Sequence, residues 1–502
     1  MASVLRSGDQ RATVATALSS RGGLVGAALL FTLIVSARRP AGLSASAAVA
    51  LAVFVFGLVI WLTQAVSYMA SAALIAGLLG VGLTVAPDPM SSTGTALRGM
   101  HAIRAVLGGF ATPAVALMAV GLVIAVAMAD TGLDRRIALH VLSLVEGQRT
   151  SLILVSVMLI GVLLGFVVPS APGRVVALLP ILHGVRSAFP SPSGRRFAGL
   201  LTIAAANVAS ITSIAVKTAA PQNLIAAGLL ESMLGTGVTW GQWLMVAGPY
   251  ALALWIVLYA VARRRIPDGL VAASGGSARL RSELASLGPV TWAEQRLLGL
   301  VSMTLFLWVT EGFLHKIDAG IVAVAVAVLI LLPGVGVMDA RTAAKRLPVG
   351  TIAVFGIGVS LGTTLIKSGA AGWLAASLAP RMAGEGISPV VTIAMLAAVS
   401  IAIHLGFTSA TALTAALIPI VISFLQAGHS PVRLEWWIVL ATQISINVNF
   451  VLPINAPQSM VAYATDTFTV GEFARIGVPL TLAAYLLLLV FAVTYWHWLG
   501  MS

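Results

Sequence analysis

The chain has 502 residues, of which 59% are hydrophobic and 9% charged, with a mean hydropathy of +1.02. That composition excludes a water-soluble domain and requires many crossings of a bilayer. The net charge of +13 is dispersed over loops between apolar runs, a pattern that membrane orientation explains and nucleic-acid binding does not.

Residues 1–21 are polar and carry Arg6, Arg11 and Arg21, so they are expected to form a cytoplasmic tail with no cleavable signal peptide of the usual form. At about 20 residues per spanning helix, apolar spans are predicted over 22–37, 43–63, 66–86 and 110–131. Two longer runs follow, both interrupted. The first, about 151–188, breaks at Pro169 to Arg174 and reads as a re-entrant hairpin. The second, about 197–230, breaks between Lys217 and Gln222 and reads as a broken transmembrane helix. A span at 241–262 closes the first half, 22–262. The segment 263–294, with Arg263-Arg264-Arg265 and a Ser-Gly-Gly step at 274–276, reads as a cytoplasmic linker. The second half, 295–502, repeats the order: spans at 295–313, 319–334 and 350–367, a hairpin at about 389–427 broken at 408–411, a broken helix at about 436–465 interrupted at 453–458, and a last span at 474–497.

Four landmarks carry the repeat. Trp61-Leu62-Thr63-Gln64 returns as Trp308-Val309-Thr310-Glu311, Thr131-Gly132 as Ser368-Gly369, Ser170 as Ser409, and Ala220-Pro221-Gln222 as Ala456-Pro457-Gln458. Their offsets are 247, 237, 239 and 236 residues in one chain order, which means a duplicated unit. Non-helical backbone survives at bilayer depth only where protein buries it or it lines a wet cavity. Broken hydrophobic segments at matching places in two halves therefore point to a transporter's binding site. Lys and Arg test the drawing: with the N-terminus inside, 18 of the 29 fall on inside segments and eight outside. The expected fold is an all-α polytopic membrane protein with two inverted repeats, each with a re-entrant hairpin and a broken transmembrane helix.

Arg174 and Lys217 lie in the interrupted centres of their segments, and a charge at that depth is a functional-site hypothesis. No Asp or Glu lies in either hairpin core or ahead of either helix break, with Asp466 the nearest exception. A cation carrier or proton relay would need such a carboxylate, so the two cations point to an anionic cargo, Arg as a bidentate fork and Lys as a point charge. Plainer roles stand beside these. Arg174 can snorkel to an interface and Lys217 can pair structurally. Ser170, Ser409 and Thr411 can serve as small residues that let helices pack closely. Asn223, Asn447, Asn449 and Asn455 need partners when buried, His404 and Gln443 read as interhelical hydrogen bonders, and Asp130 reads as a helix cap. Enzymatic chemistry finds no zinc motif, no Walker loop and, with no Cys in the chain, no thiol nucleophile.

From Trp61 through the hairpin tips to the last broken helix, the chain resembles the divalent anion:sodium symporter family of di- and tricarboxylate and sulfate transporters. In that family each hairpin tip carries Ser-Asn-Thr and each broken helix a Pro-Pro-Asn-like step, around an anion and, in the symporters, sodium ions. Here the tips read Ser170-Ala171-Pro172-Gly173-Arg174 and Ser409-Ala410-Thr411. Ala171 and Ala410 each remove an oxygen ligand, Pro172 removes a hydroxyl, and Arg174 and Lys217 repel a cation. The Ser-x-x-x-Arg tip and the Thr218 to Asn223 stretch are similar to the family's 2-oxoglutarate/malate and citrate/succinate exchanger branch. The resemblance implies substrate binding by Ser170, Ala171, Pro172, Gly173, Arg174, Lys217, Thr218, Pro221, Asn223, Ser409, Ala410, Thr411, Asn455 and Pro457. It also implies elevator-type movement of a small anion across the cytoplasmic membrane by a homodimer, with no cofactor, sodium left open, and exchange favoured. Sodium-coupled dicarboxylate or sulfate symport is the alternative, and a channel or cation/proton antiporter of the wider superfamily the distant one.

Overall fold

In a computed structural model of the chain, the described residues are 22–63, 65–86, 99–143, 150–188, 191–235, 237–267, 282, 284–374, 377, 388–406, 409–427 and 432–500. The N-terminal tail, residues 268–281 and 283 of the 263–294 linker and the second tip's residues 407–408 lie outside them.

The first half runs α1 (Gly22–Ser36), α2 (Ala45–Leu62), α3 (Tyr68–Val85), α4 (Gly99–Leu107), α5 (Pro113–Thr131), α6 (Leu133–Ser143), α7 (Thr150–Val167), α8 (Ala171–Ala188), α9 (Pro192–Ala215), α10 (Pro221–Leu234) and α11 (Trp240–Arg263). The second runs α12 (Trp292–Thr310), α13 (Ala319–Leu331), α14 (Ala340–Arg346), α15 (Val349–Lys367), α16 (Pro389–His404), α17 (Ala410–Ala427), α18 (Val432–Ile446), α19 (Pro457–Tyr463) and α20 (Val470–Val493). Six of these helices are long and apolar enough to cross a membrane singly, or up to seven if the bent α4–α5 pair is one span, so this is a multi-pass membrane protein.

Local chemistry starts and stops these helices. Ser44, Ser67, Thr112 and Ser191 accept hydrogen bonds from backbone N–H groups three residues on, and Pro113 and Pro192 occupy first-turn positions that need no N–H. Gly132, at φ 75°, ends α5 in the left-handed conformation. Helices α11 and α20 begin alike, with the capping boxes Thr239/Gln242 and Thr469/Glu472, and each carries a proline at the same depth, Pro249 and Pro479. This correspondence adds a fifth landmark to the repeat. Trp61 and Trp308 behave alike too: each indole N–H reaches the start of the following helix, at Ser71 Oγ (3.2 Å) and at the Ala319 carbonyl (3.1 Å).

The halves interleave. Helix α5 packs on α13, and α15 on α3; α10 packs on α17, and α19 on α8. At the centre lies α9, against α7, α8, α11 and α19, with every residue of its apolar window buried. Lipid tails are as apolar as leucine, so close packing of small residues has to hold such helices together. Gly165 of α7 meets α9 so closely that a Cβ there would lie 1.9 Å from Thr212 Cγ2.

Between the spans predicted at 110–131 and 151–188 lies helix α6, anchored by Arg136, whose Nε donates to Glu294 Oε1 at 2.6 Å while its Nη atoms donate to the Gly288 and Leu287 carbonyls. Two sequence expectations need correction. The first tip is shorter than expected: only Val168, Pro169 and Ser170 are non-helical, because Pro172 falls in the first turn of α8 where its missing N–H costs nothing. The second break is longer, with α18 ending at Ile446 and buried irregular backbone running to a single 3₁₀ turn at Pro453–Asn455. Asp466 stands exposed in a left-handed turn (φ 52°) after α19, away from the breaks.

Burial alone would raise the Glu294 carboxyl, but hydrogen bonds from Arg136 and Thr291 outweigh it and hold the group below the usual carboxylate range. A carboxyl lowered on folding stabilises the fold at any pH above its unfolded value, about 4.3, and that contribution is lost as pH falls through the lower folded value. Thermal melts are therefore expected to show a loss of stability on acidification that Glu294→Gln does not share, its melting point being lower already at neutral pH.

Candidate functional site

Helix breaks leave backbone carbonyls and N–H groups without partners, and at this depth no water can serve them. Side chains do so here. At the first break, between α9 and α10, Asn223 Nδ2 donates to the Ser213 (2.6 Å) and Val216 (3.2 Å) carbonyls. At the second, Asn455 Nδ2 donates to the His404 (2.9 Å) and Leu405 (3.1 Å) carbonyls, and its Oδ1 accepts from Leu452 N–H. His404 Nε2 in turn lies 3.2 Å from the Asn455 carbonyl. The two asparagines flanking the breaks thus close them.

Arg174 is fully buried in the first turn of α8. Its Nη1 donates to the Val168 (2.9 Å) and Ala219 (3.0 Å) carbonyls, and its Nη2 to the Ala209 carbonyl (2.7 Å) and Ser213 Oγ (2.7 Å). The guanidinium joins the first hairpin tip to the first helix break through four oxygens, and among the described residues only its Nε–H has no partner. It does not snorkel. Its four terminal N–H groups are occupied by the protein, so the expected fork-to-carboxylate contact with a cargo is not available in this arrangement. Its positive charge is.

Ser170 and Ser409 cap the helices that begin at the two tips. Ser170 Oγ accepts from Gly173 N–H (3.2 Å) and Ser409 Oγ from Ala412 N–H (3.3 Å), which leaves each hydroxyl its proton to donate. Ala171 and Ala410 are the first residues of α8 and α17, and Pro172 and Gly173 complete the first turn of α8. Pro221 and Pro457 open α10 and α19, neither of which has a side-chain cap among the described residues.

Across the middle the halves exchange polar contacts. Gln222 Nε2 donates to Asn447 Oδ1 (2.8 Å), and Gln458 Nε2 to Ser210 Oγ (2.7 Å). These are one contact made twice, since the glutamines are 236 residues apart and their partners 237. Asn447 Nδ2 donates to Asn223 Oδ1 (3.0 Å), Gln443 Nε2 to the same oxygen (3.4 Å), and Thr411 Oγ1 to Gln222 Oε1 (3.4 Å). The last contact brings the second tip to the start of α10. The sequence reading noted the Ala-Pro-Gln steps without assigning Gln222 or Gln458 a role; their identical spacing from each break was the available signal.

Lys217 and Thr218 turn away from this junction. Thr218 Oγ1 accepts from the Trp240 indole N–H (3.1 Å), and Lys217 Nζ donates to the Val238 carbonyl beside a cavity of about 140 Å³ that Glu231, Glu311 and Asp318 also line. The expectation that both deep cations lack acidic neighbours therefore holds for Arg174 only. The sequence concealed this because Glu311 and Asp318 belong to the other half and reach Lys217 only through packing.

Comparison with known proteins places this arrangement. A membrane protein of Cupriavidus necator is 40% identical over 495 residues, covering 98% of this chain and 95% of that one. The sodium-dependent dicarboxylate transporter SdcS of Staphylococcus saprophyticus is 26% identical over 481 residues, 91% of this chain and 87% of its own. Among solved structures, the YdaH transporter of Alcanivorax borkumensis aligns over 90% of this chain and 98% of its own, with a TM-score of 0.54 at 16% identity, a likeness of fold alone. The model of the sodium:sulfate symporter transmembrane region matches residues 22–502. With its paired tips and breaks, the chain belongs to that family, the divalent anion:sodium symporters.

Proposed function

We propose that this protein is a secondary transporter that exchanges small divalent organic anions, di- or tricarboxylates, across the cytoplasmic membrane without sodium. Its relatives are transporters, SdcS by name one for dicarboxylates, which supports a transport rather than an enzymatic role. The observation that carries the sodium-independent reading is Arg174. Sodium in such transporters is held by oxygens freed where helices unwind. Here the freed carbonyls of Val168 at the tip and Ala219 at the break, with the Ser213 hydroxyl beside them, are taken by a permanent cation.

In this reading the anion sits between the two tips and two breaks. The hydroxyls of Ser170 and Ser409 and the second N–H of the Gln222 amide offer donors, Thr411 and Asn447 hold Gln222 in place, and the N-termini of α8, α17 and α10 point their positive dipole ends inward. Ala171, Gly173 and Ala410 keep the tips slim enough for backbone N–H groups to approach the cargo. Pro172, Pro221 and Pro457 fix the first turns, while Asn223 and Asn455 satisfy the backbone of the breaks and fix its path. Arg174 contributes charge through space, and Lys217 is assigned to the wall beyond the break. An empty site leaves the Arg174 charge unbalanced in the apolar middle; an occupied one neutralises it. Occupancy thus becomes a condition for movement, which is what exchange requires. The moving unit comprises both hairpins and both broken helices, the two repeats are inverted, the N-terminus lies inside, and the scaffold pairs in a homodimer.

Counterflow in proteoliposomes tests this. Labelled succinate or malate is expected to enter only vesicles preloaded with unlabelled dicarboxylate, equally with sodium or choline outside. Uptake into empty vesicles driven by a sodium gradient would replace exchange by symport, and no uptake of any dicarboxylate or sulfate would remove the anion assignment.

A further inference from the structure

A second basic site lies apart from the tips and breaks. Where α9 begins, α11 ends and α20 begins, a cavity of about 250 Å³ is lined by Arg196, Arg265 and Arg475. Among the described residues that line it the one carboxylate is Glu472, and that group is turned to its own helix start, its Oε2 accepting from Thr469 N–H (2.8 Å) and Oγ (3.0 Å). Arg265 reaches across the gap to the Arg475 carbonyl (2.8 Å), tying the end of α11 to α20. The ion pairs among the described residues are Arg136–Glu294 and Arg346–Asp130, so none engages these three guanidiniums. The buried side chains of Leu200, Ile203 and Ile476 add an apolar part to the lining.

We infer that this cavity binds the phosphoryl group of an anionic membrane lipid. Three arginines with one diverted carboxylate select a dense negative charge, and guanidiniums match the paired oxygens of a phosphoryl group. The apolar part of the lining favours a ligand that continues into a glycerol and acyl chain over a free ion. The position, at the ends of three membrane-length helices, is where lipid headgroups lie, and basic pockets between such helices recognise anionic lipids. A lipid seated there bridges the broken helix α9 to α11 and α20. This goes beyond the transport reading and does not depend on the identity of the cargo.

The full-length protein, purified in detergent, is titrated with dioleoylphosphatidylglycerol, dioleoylphosphatidylcholine or inorganic phosphate, reading melting temperature and, by native mass spectrometry, retained lipid. Phosphatidylglycerol is expected to stabilise the protein, with affinity about thirtyfold weaker in Arg196→Gln/Arg475→Gln and unchanged in Arg38→Gln/Arg39→Gln, which removes the same charge elsewhere. Arg196→Gln alone, at an exposed side chain, carries the test if the double variant does not fold. Equal stabilisation by phosphatidylcholine, or equal loss in the control, overturns the site. If inorganic phosphate alone reproduces the shift in the wild type but not in the variant, phosphoryl recognition stands and the lipid assignment is overturned.

Discussion

Arg174→Ser is expected to abolish transport in sodium-free medium and to restore part of it when sodium is added. Removing the guanidinium strands the carbonyls of Val168 and Ala219, while the Ala209 carbonyl keeps the Ser213 hydroxyl as a donor. Each buried oxygen left unpaired costs about 1–3 kcal/mol, so the variant should also melt several degrees lower. A sodium ion suits such a cage of oxygens and would return both the missing charge and the missing partners. The wild type, by contrast, should transport at the same rate in sodium or choline. Two results would sink the assignment: wild-type uptake that needs sodium, or a folded Arg174→Ser that transports normally without it. Melting curves with and without sodium separate a local effect on the cage from general misfolding, since only an occupied cage shifts with sodium.

Gly477→Ala should be the most damaging single-methyl change in the second half. Gly477 sits in α20 against the unwound segment after α18, and a Cβ there would lie 1.8 Å from the Phe450 carbonyl oxygen. The obstacle is backbone, so no rotamer change can relieve it, and the irregular stretch that carries Asn447 and leads to Asn455 must shift. Overpacking of this kind costs about 1–3 kcal/mol or more. Gly299→Ala in α12 is the matched comparison, because a Cβ there meets nothing within 4 Å and a helix-interior alanine is better by about 0.5–1 kcal/mol. Folded yield, melting temperature and exchange rate should all fall for Gly477→Ala and hold or rise for Gly299→Ala. Equal behaviour of the two variants would mean that α20 does not set the position of the second break.

Local patterns along the chain are enough for the order of the apolar helices and for the places where the long apolar runs are interrupted. These follow from local physics: an apolar run of about 20 residues is a span, and a proline or a small-residue cluster within a longer run is an interruption. Only the folded chain shows Ser170, Ser409, Pro221 and Pro457 at helix starts, and it shortens the first interruption because a first-turn proline such as Pro172 is harmless. What each charged side chain faces was decided only in three dimensions. Arg174 and Lys217 are alike on paper, both cations in interrupted segments. Folding gives one a ring of backbone oxygens and no acid, and the other a wall bearing Glu231, Glu311 and Asp318. The difference arises because the halves interleave, so residues more than 200 positions apart, such as Gln222 and Asn447, become neighbours. Electrostatic energy and hydrogen bonding depend on distance through space, and no local pattern records that.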